Sequence, residues 1–403
     1  MVCDQRVTES VTVSLPASGQ PVRPWRILRG LAVSGFLLAL PGGLLPVWGY
    51  HIRSTYGLAA NYFAVLCVGM AGGAALGIRL RKHYPVHRLL SIGCFGAALA
   101  LLLLAVAAPS ASFWYQALAL LITGAAAGMI NTAIFECLAP AWEANPAGIA
   151  LSGGIFFGLG SVASAWLMSK CLDSMTAPRL FAMAALAAGG AGVLFGRVPL
   201  ERYNPRLLPV GDAVKDLRSV LAILFALLLF FQFASEWSIA GWLPVFLIDR
   251  LGLSPETGVL LLALYWLALT VGRVIAARLL PWARHGRMLG VSAFGALFGC
   301  VCLMWSGTIA GIVVGILLTG AGFSAIYPLA AEKISTRFSY YHPGYFNGIF
   351  TFALTGGILA PFVLGHMAEA WGLQVIPLAS MLGSCAVFAL VLLIWLGRKV
   401  SGT

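Results

Sequence analysis

Apolar and polar positions alternate along the chain in long blocks. Runs of about 20 apolar residues, each long enough to cross a bilayer, are separated by short polar stretches. Twelve such runs can be read, at 27–49, 60–80, 89–108, 113–138, 147–169, 179–196, 220–248, 256–280, 288–306, 309–331, 345–368 and 375–396. A spanning segment must satisfy its own backbone hydrogen bonds, so each run is expected as a helix. The most polar interior stretch, 197–219, divides six spans from six. The expected organisation is an N-terminal cytoplasmic tail (1–24), a six-helix half (25–196), a cytoplasmic central loop (197–219), a second six-helix half (220–396) and a cytoplasmic tail (397–403). The tail at 1–24 is polar and carries Pro16, Pro21 and Pro24, and the first apolar run is too long for the core of a signal peptide.

Composition agrees. Of 403 residues, 60% are hydrophobic and 9% charged, against roughly 25% charged in a soluble domain. Twelve spans leave no room for a separate soluble catalytic domain. The net charge of +12 does not point to nucleic acid, because the basic residues are sorted by side. With the N-terminus inside, 21 of the 25 Lys and Arg fall on the cytoplasmic side, and only Arg53, Lys170, Arg179 and Arg250 fall outside. This asymmetry places both termini in the cytoplasm of a multi-pass protein of the cell (inner) membrane. The eight Cys form no zinc spacing, and no Ser/His or Cys/His arrangement argues for catalysis. No phosphate-binding Gly loop argues for direct ATP drive. The expectation is a monomeric non-enzyme with no metal and no cofactor. Its partners are the lipid bilayer, a small-molecule substrate, and a proton or other coupling ion.

A repeat crosses the polar divide. Residues 121–136, LITGAAAGMINTAIFE, align with 317–332, LLTGAGFSAIYPLAAE, at six of sixteen positions. LLPV at 44–47 aligns with WLPV at 242–245, and Arg79 and Arg88 align with Arg278 and Arg287 at an offset of 199. Spans one, two and four thus correspond to seven, eight and ten, which describes two parallel six-span halves, the arrangement of the major facilitator superfamily. Glu136 and Glu332 become equivalents, as do Arg79 and Arg278. These four are expected as a twofold cytoplasmic gate whose pairs close in an outward-open conformation.

Glu236 differs, because its repeat equivalent is Leu38. A carboxylate halfway through span seven costs at least about 2.5–3.5 kcal/mol to insert. It is therefore a candidate for coupling to protons and for substrate contact, with helix packing as the alternative. Asn131, Gln232 and Asn347 are further polar groups at depth, each either a ligand contact or an interhelical hydrogen bond. Trp237, Trp266 and Tyr265 lie near mid-span, as core packing or as an aromatic platform for a ligand. No Lys or Arg is expected at the midplane, Arg273 being seven residues from the inner end of its span. That points to a neutral or cationic substrate.

Four stretches resemble the fucose–galactose–glucose:proton symporter family within that superfamily: SEWSIAGWLPVFLIDRLGLS at 235–254, LYWLALTVGR at 264–273, AIYPLAAE at 325–332 and TGGILAPFVLG at 355–365. The resemblance assigns Glu236 to the acidic position before GW, Arg273 to the span-eight arginine and Tyr327–Pro328 to a break in span ten. Asn131 stands where the family often has an acidic residue, and Gly154 where its span-five motif has a His. The family's span-one Asp is missing, and the loop GIRLRKHYPVHR lacks the superfamily's Asp. The expectation is an all-α, twelve-span secondary transporter of a small neutral solute, a sugar before others, working by alternating access with proton coupling. Proton-driven efflux of a drug or metabolite, and a non-transporting membrane sensor, are the alternatives.

Overall fold

The structure, a computed structural model, describes residues 24–53, 55–106, 111–173, 176–197, 219–337 and 348–400. Among the described residues the secondary structure is helical, and twelve helices are long and apolar enough to cross a membrane. Spans one to six are Gly30–Val47, Tyr56–Leu80, Val86–Val106, Phe113–Ala144, Pro146–Asp173 and Ala177–Gly196. Spans seven to nine are Val220–Leu251, Pro255–Leu279 and His285–Trp305. Span ten is two helices, Ile309–Phe323 and Ile326–Arg337, and spans eleven and twelve are Gly348–Trp371 and Val375–Val400. The expected N-terminal tail up to residue 23, most of the central loop and Asn347 lie outside the described residues.

Local chemistry explains the boundaries. Span seven ends at Gly252, whose φ of 63° is the left-handed conformation that closes a helix, with its N–H donated to the Ile248 carbonyl. Two residues on, the Ser254 hydroxyl accepts from the Thr257 N–H at 3.2 Å, and Pro255 and Glu256 occupy the first turn of span eight. Span ten breaks at Ser324–Ala325, four residues before Pro328. A helical proline clashes with the carbonyl four residues back and has no N–H to give it. The break is therefore one turn upstream of the Tyr327–Pro328 pair that signals it.

The helices pair by the same rule in both halves: span one on five and seven on eleven, two on four and eight on ten, three on six and nine on twelve. The halves meet through span five on eight and span two on eleven, which exchange under the same twofold relation. Lipid gives no hydrophobic drive for helix association, so close packing of small residues carries much of it. A Cβ on Gly69 or Gly73 of span two would lie 2.1 or 1.9 Å from the Leu121 or Ala125 carbonyl of span four. Gly124 and Gly128 face the Leu66 and Met70 carbonyls of span two equally closely, at 2.0 and 2.1 Å.

Candidate functional site

Between the halves lies a cavity of about 230 Å³. Its wall runs from Gly42, Ala240 and Pro361, near mid-molecule, to Leu28, Leu138 and Ile149 on the side where the described residues begin, at Pro24, and end, at Val400, the termini side. The opposite side is sealed. Trp242 of span seven is fully buried there, in ring contact with Tyr56 and Phe63 of span two, and its indole N–H donates to the Pro361 carbonyl at 2.9 Å. A Cβ on Gly42 would sit 2.2 Å from the Ala240 carbonyl, so spans one and seven touch backbone to backbone. Further out, the Gly57 N–H at the start of span two donates to Glu369 of span eleven at 2.5 Å, while Lys170 of span five lies 3.7 Å from Glu256 of span eight.

The charged centre of the cavity joins three spans. Arg273 Nη2 lies 3.7 Å from Glu236 Oε1, and Nη1 donates to the Gly154 carbonyl of span five at 2.6 Å. Gln232, one turn before Glu236, donates to Glu236 Oε2, and the Tyr265 hydroxyl donates to the Glu236 backbone carbonyl at 3.3 Å. Gly154 is what admits the arginine: a Cβ there would lie 2.7 Å from Arg273 Cδ and Nε. Arg273 thus contacts the first half through Gly154 and the second through Glu236.

Of the residues expected at the site, Asn131, Glu236 and Trp237 line the cavity. Gln232, Tyr265 and Trp266 are fully buried behind its wall. The first two position Glu236, and Trp266 packs against Trp237 and Phe157 with ring centroids 5.9 and 6.1 Å apart. Asn347 lies outside the described residues. The expectation of a midplane without cations is overturned. Arg273 has its Cα toward the termini side of span eight, but its long side chain brings the guanidinium to within 3.7 Å of the Glu236 carboxylate, the reverse of the snorkelling toward water that cationic stems commonly show. Phe157, Phe233, Tyr327 and Gly154 also line the cavity. Nothing in the sequence marked Phe157 and Phe233, since an aromatic on an apolar helix reads as core.

The gate pairs differ from expectation as well. Glu136 pairs with Arg81 at 3.5 Å, and Glu332 Oε2 lies 3.1 Å from His285 Nδ1, an ion pair when that ring is protonated. Arg79 and Arg278 are exposed. At about 100° per residue, Arg79 and Arg81 point to nearly opposite sides of span two. In this conformation, whose cavity reaches the termini side, the two acidic residues have other basic neighbours than the repeat assigns for the outward-open state.

A family model described as Major Facilitator Superfamily matches residues 142–357. The membrane protein MosC of Rhizobium meliloti is 23% identical over 381 residues, covering 89% of this chain and 88% of its own. A glucose/galactose transporter of Brucella abortus is 28% identical over 162 residues, covering 38% of this chain and 37% of its own. The crystal structure of the fucose:proton symporter of Escherichia coli superposes with a TM-score of 0.61 at 16% identity, over 92% of this chain and 98% of that one.

Proposed function

The chain belongs to the major facilitator superfamily, and from that premise we propose that it is a proton-coupled secondary transporter of a small organic solute, working by alternating access. The observation that carries this reading is the Glu236–Arg273 pair, buried on the cavity wall, with the same arginine bonded to the other half through Gly154. Breaking a buried ion pair by neutralising one partner is strongly destabilising, on the order of 3–5 kcal/mol. Protonation of Glu236 therefore changes the hold that Arg273 keeps on both halves, and a proton biases the equilibrium between the two cavity orientations. A ligand shifts such an equilibrium only by its differential affinity for the two states. The seal at Trp242 and Gly42 defines one state; closing the termini side between the two halves would define the other. Asn131 and Trp237 contact the solute, while Gln232 and Tyr265 hold Glu236 in place.

The cavity wall is largely aliphatic and aromatic, with Leu31, Leu66, Met70, Phe157, Phe233 and Ile358 among its residues. This suits an amphipathic metabolite or drug, taken up or exported, better than a solute covered in hydroxyls. A hexose is the second reading, favoured by the motif resemblance and by the glucose/galactose relative. Purified protein in proteoliposomes tests the coupling. Glu236→Gln fixes the neutral form, so solute counterflow is expected to continue while accumulation driven by a pH gradient disappears. Wild-type accumulation in Glu236→Gln would remove Glu236 from the coupling role.

A further inference from the structure

We infer that the solute is an organic anion, an apolar body bearing one carboxylate or comparable oxyanion, and that its head group binds the Nε–Nη2 edge of Arg273 once a proton occupies Glu236. The inference rests on the transport reading above and names the substrate class of the same cavity.

The guanidinium is incompletely used. It presents five N–H donors in a rigid fork, accepts nothing, and stays charged. Nη1 is committed to the Gly154 carbonyl. The edge formed by Nε and Nη2 is the one that matches a carboxylate with two parallel hydrogen bonds. In this structure Nε is buried without a hydrogen-bond partner among the described residues, and Nη2 reaches Glu236 only at 3.7 Å, beyond hydrogen-bond length. Glu236 does not close the gap because its other oxygen is held by Gln232 on its own helix. This charged edge is buried at the cavity wall beside Gly154 and short of acceptors, so an oxyanion in the cavity satisfies it after a small turn of the Arg273 side chain. Asn131 lines the same cavity with a buried Oδ1 that also lacks a partner among the described residues. It can accept from a hydroxyl or amide elsewhere on the solute.

The surroundings allow one charge and no more. Among the described lining residues the ionisable groups are Glu236, Arg273, Tyr327 and Cys67. Tyr265, behind Glu236, bonds its backbone carbonyl rather than its carboxylate. With Glu236 ionised the centre is neutral, and an added anion would be repelled by the carboxylate beside its binding edge. With Glu236 protonated the centre carries +1, which a monoanion cancels. Each transit then moves one proton and one anion, and no net charge. A neutral solute carried with a proton would instead move one positive charge.

The test uses the full chain in proteoliposomes, with phenylacetate and 4-phenylbutyrate, their primary amides, and D-galactose. The carboxylates are expected to give counterflow and the amides and galactose not. A pH gradient is expected to drive carboxylate accumulation, while a potassium diffusion potential at equal pH is not. Glu236→Gln should bind the carboxylates at least about tenfold more tightly at neutral pH, about 1.4 kcal/mol, with the pH dependence of binding gone. Arg273→Gln should lose the carboxylates. If Arg273→Gln does not fold, the Glu236→Gln and electrical measurements still decide. Amides or galactose equalling the carboxylates, or uptake driven by the diffusion potential alone, would overturn the anion inference and leave the transport reading standing. Absence of counterflow with every compound would overturn both.

Discussion

Arg273 and Glu236 are each expensive in a bilayer, and together they explain Gly154. A glycine in the middle of a helix sacrifices about 0.8–1.0 kcal/mol relative to alanine. Here the missing Cβ lets the guanidinium reach the Gly154 carbonyl. Gly154→Ala should gain that helix propensity while losing a charge-assisted hydrogen bond worth about 1.5–3 kcal/mol. The loss exceeds the gain by about 0.5–2 kcal/mol, so the thermal midpoint should fall by a few degrees while counterflow falls by at least about tenfold. Counterflow at the wild-type rate would show that the arginine does not work from this position. The residue scale is also where sequence reading is partial. Glu236 stands out because a carboxylate amid apolar residues has a known cost. Arg273 was placed by its Cα, and a stem several bonds long moves the charge away from that point. Phe157 carries no signal, because a cavity wall and a packed core use the same residues.

Whole elements were more legible, since their determinants are local. Apolar run lengths marked the twelve spans, and Gly252, Ser254 and Pro255 set the turn between spans seven and eight. The repeat gave the pairing of halves but not the seal on the side away from the termini, where the contacts are backbone and aromatic. Even so, the outer contacts obey it. Gly57 and Lys170 stand at an offset of 199 from Glu256 and Glu369, so the Gly57–Glu369 and Lys170–Glu256 contacts are repeat equivalents with the acidic partner exchanged. The Lys170–Glu256 pair is exposed and contributes little. The tight approach of Gly42 to Ala240 is the stronger constraint, because a side chain there has no room. Gly42→Leu should hold the spans apart and shift the population toward a cavity open opposite the termini. Cys67, which lines the cavity, reports this. Labelling by a membrane-impermeant maleimide, read at the Cys67 peptide by mass spectrometry, should rise several-fold from the side opposite the termini. Unchanged labelling would mean that the Gly42 contact does not govern the closed state.

At the scale of the molecule, sidedness and conformation combine. The cavity reaches the side on which Pro24 and Val400 lie, and 21 of the 25 basic residues are assigned by the span order to that same side. The positive-inside bias counts Lys and Arg in short loops near span ends, and Arg81, Lys82, Arg88, Arg284 and Arg287 are of that kind. Burying one such charge at the bilayer centre costs at least about 2.5–3.5 kcal/mol, so carrying several of these loops across during insertion is the less favourable outcome. The orientation expected is a cavity directed to the cytoplasm, sealed from outside by Trp242 and its neighbours. A fluorescent protein fused after Thr403 should therefore fluoresce in cells. Alkaline phosphatase fused after Lys170, with the preceding five spans intact, should be active, because span five ends on the external side. The reverse pattern, a dark C-terminal fusion and an inactive phosphatase, would turn the molecule over. The proton on Glu236 would then be exchanged with the outside in the conformation described here, and a pH gradient would have to act on this state rather than on its alternate.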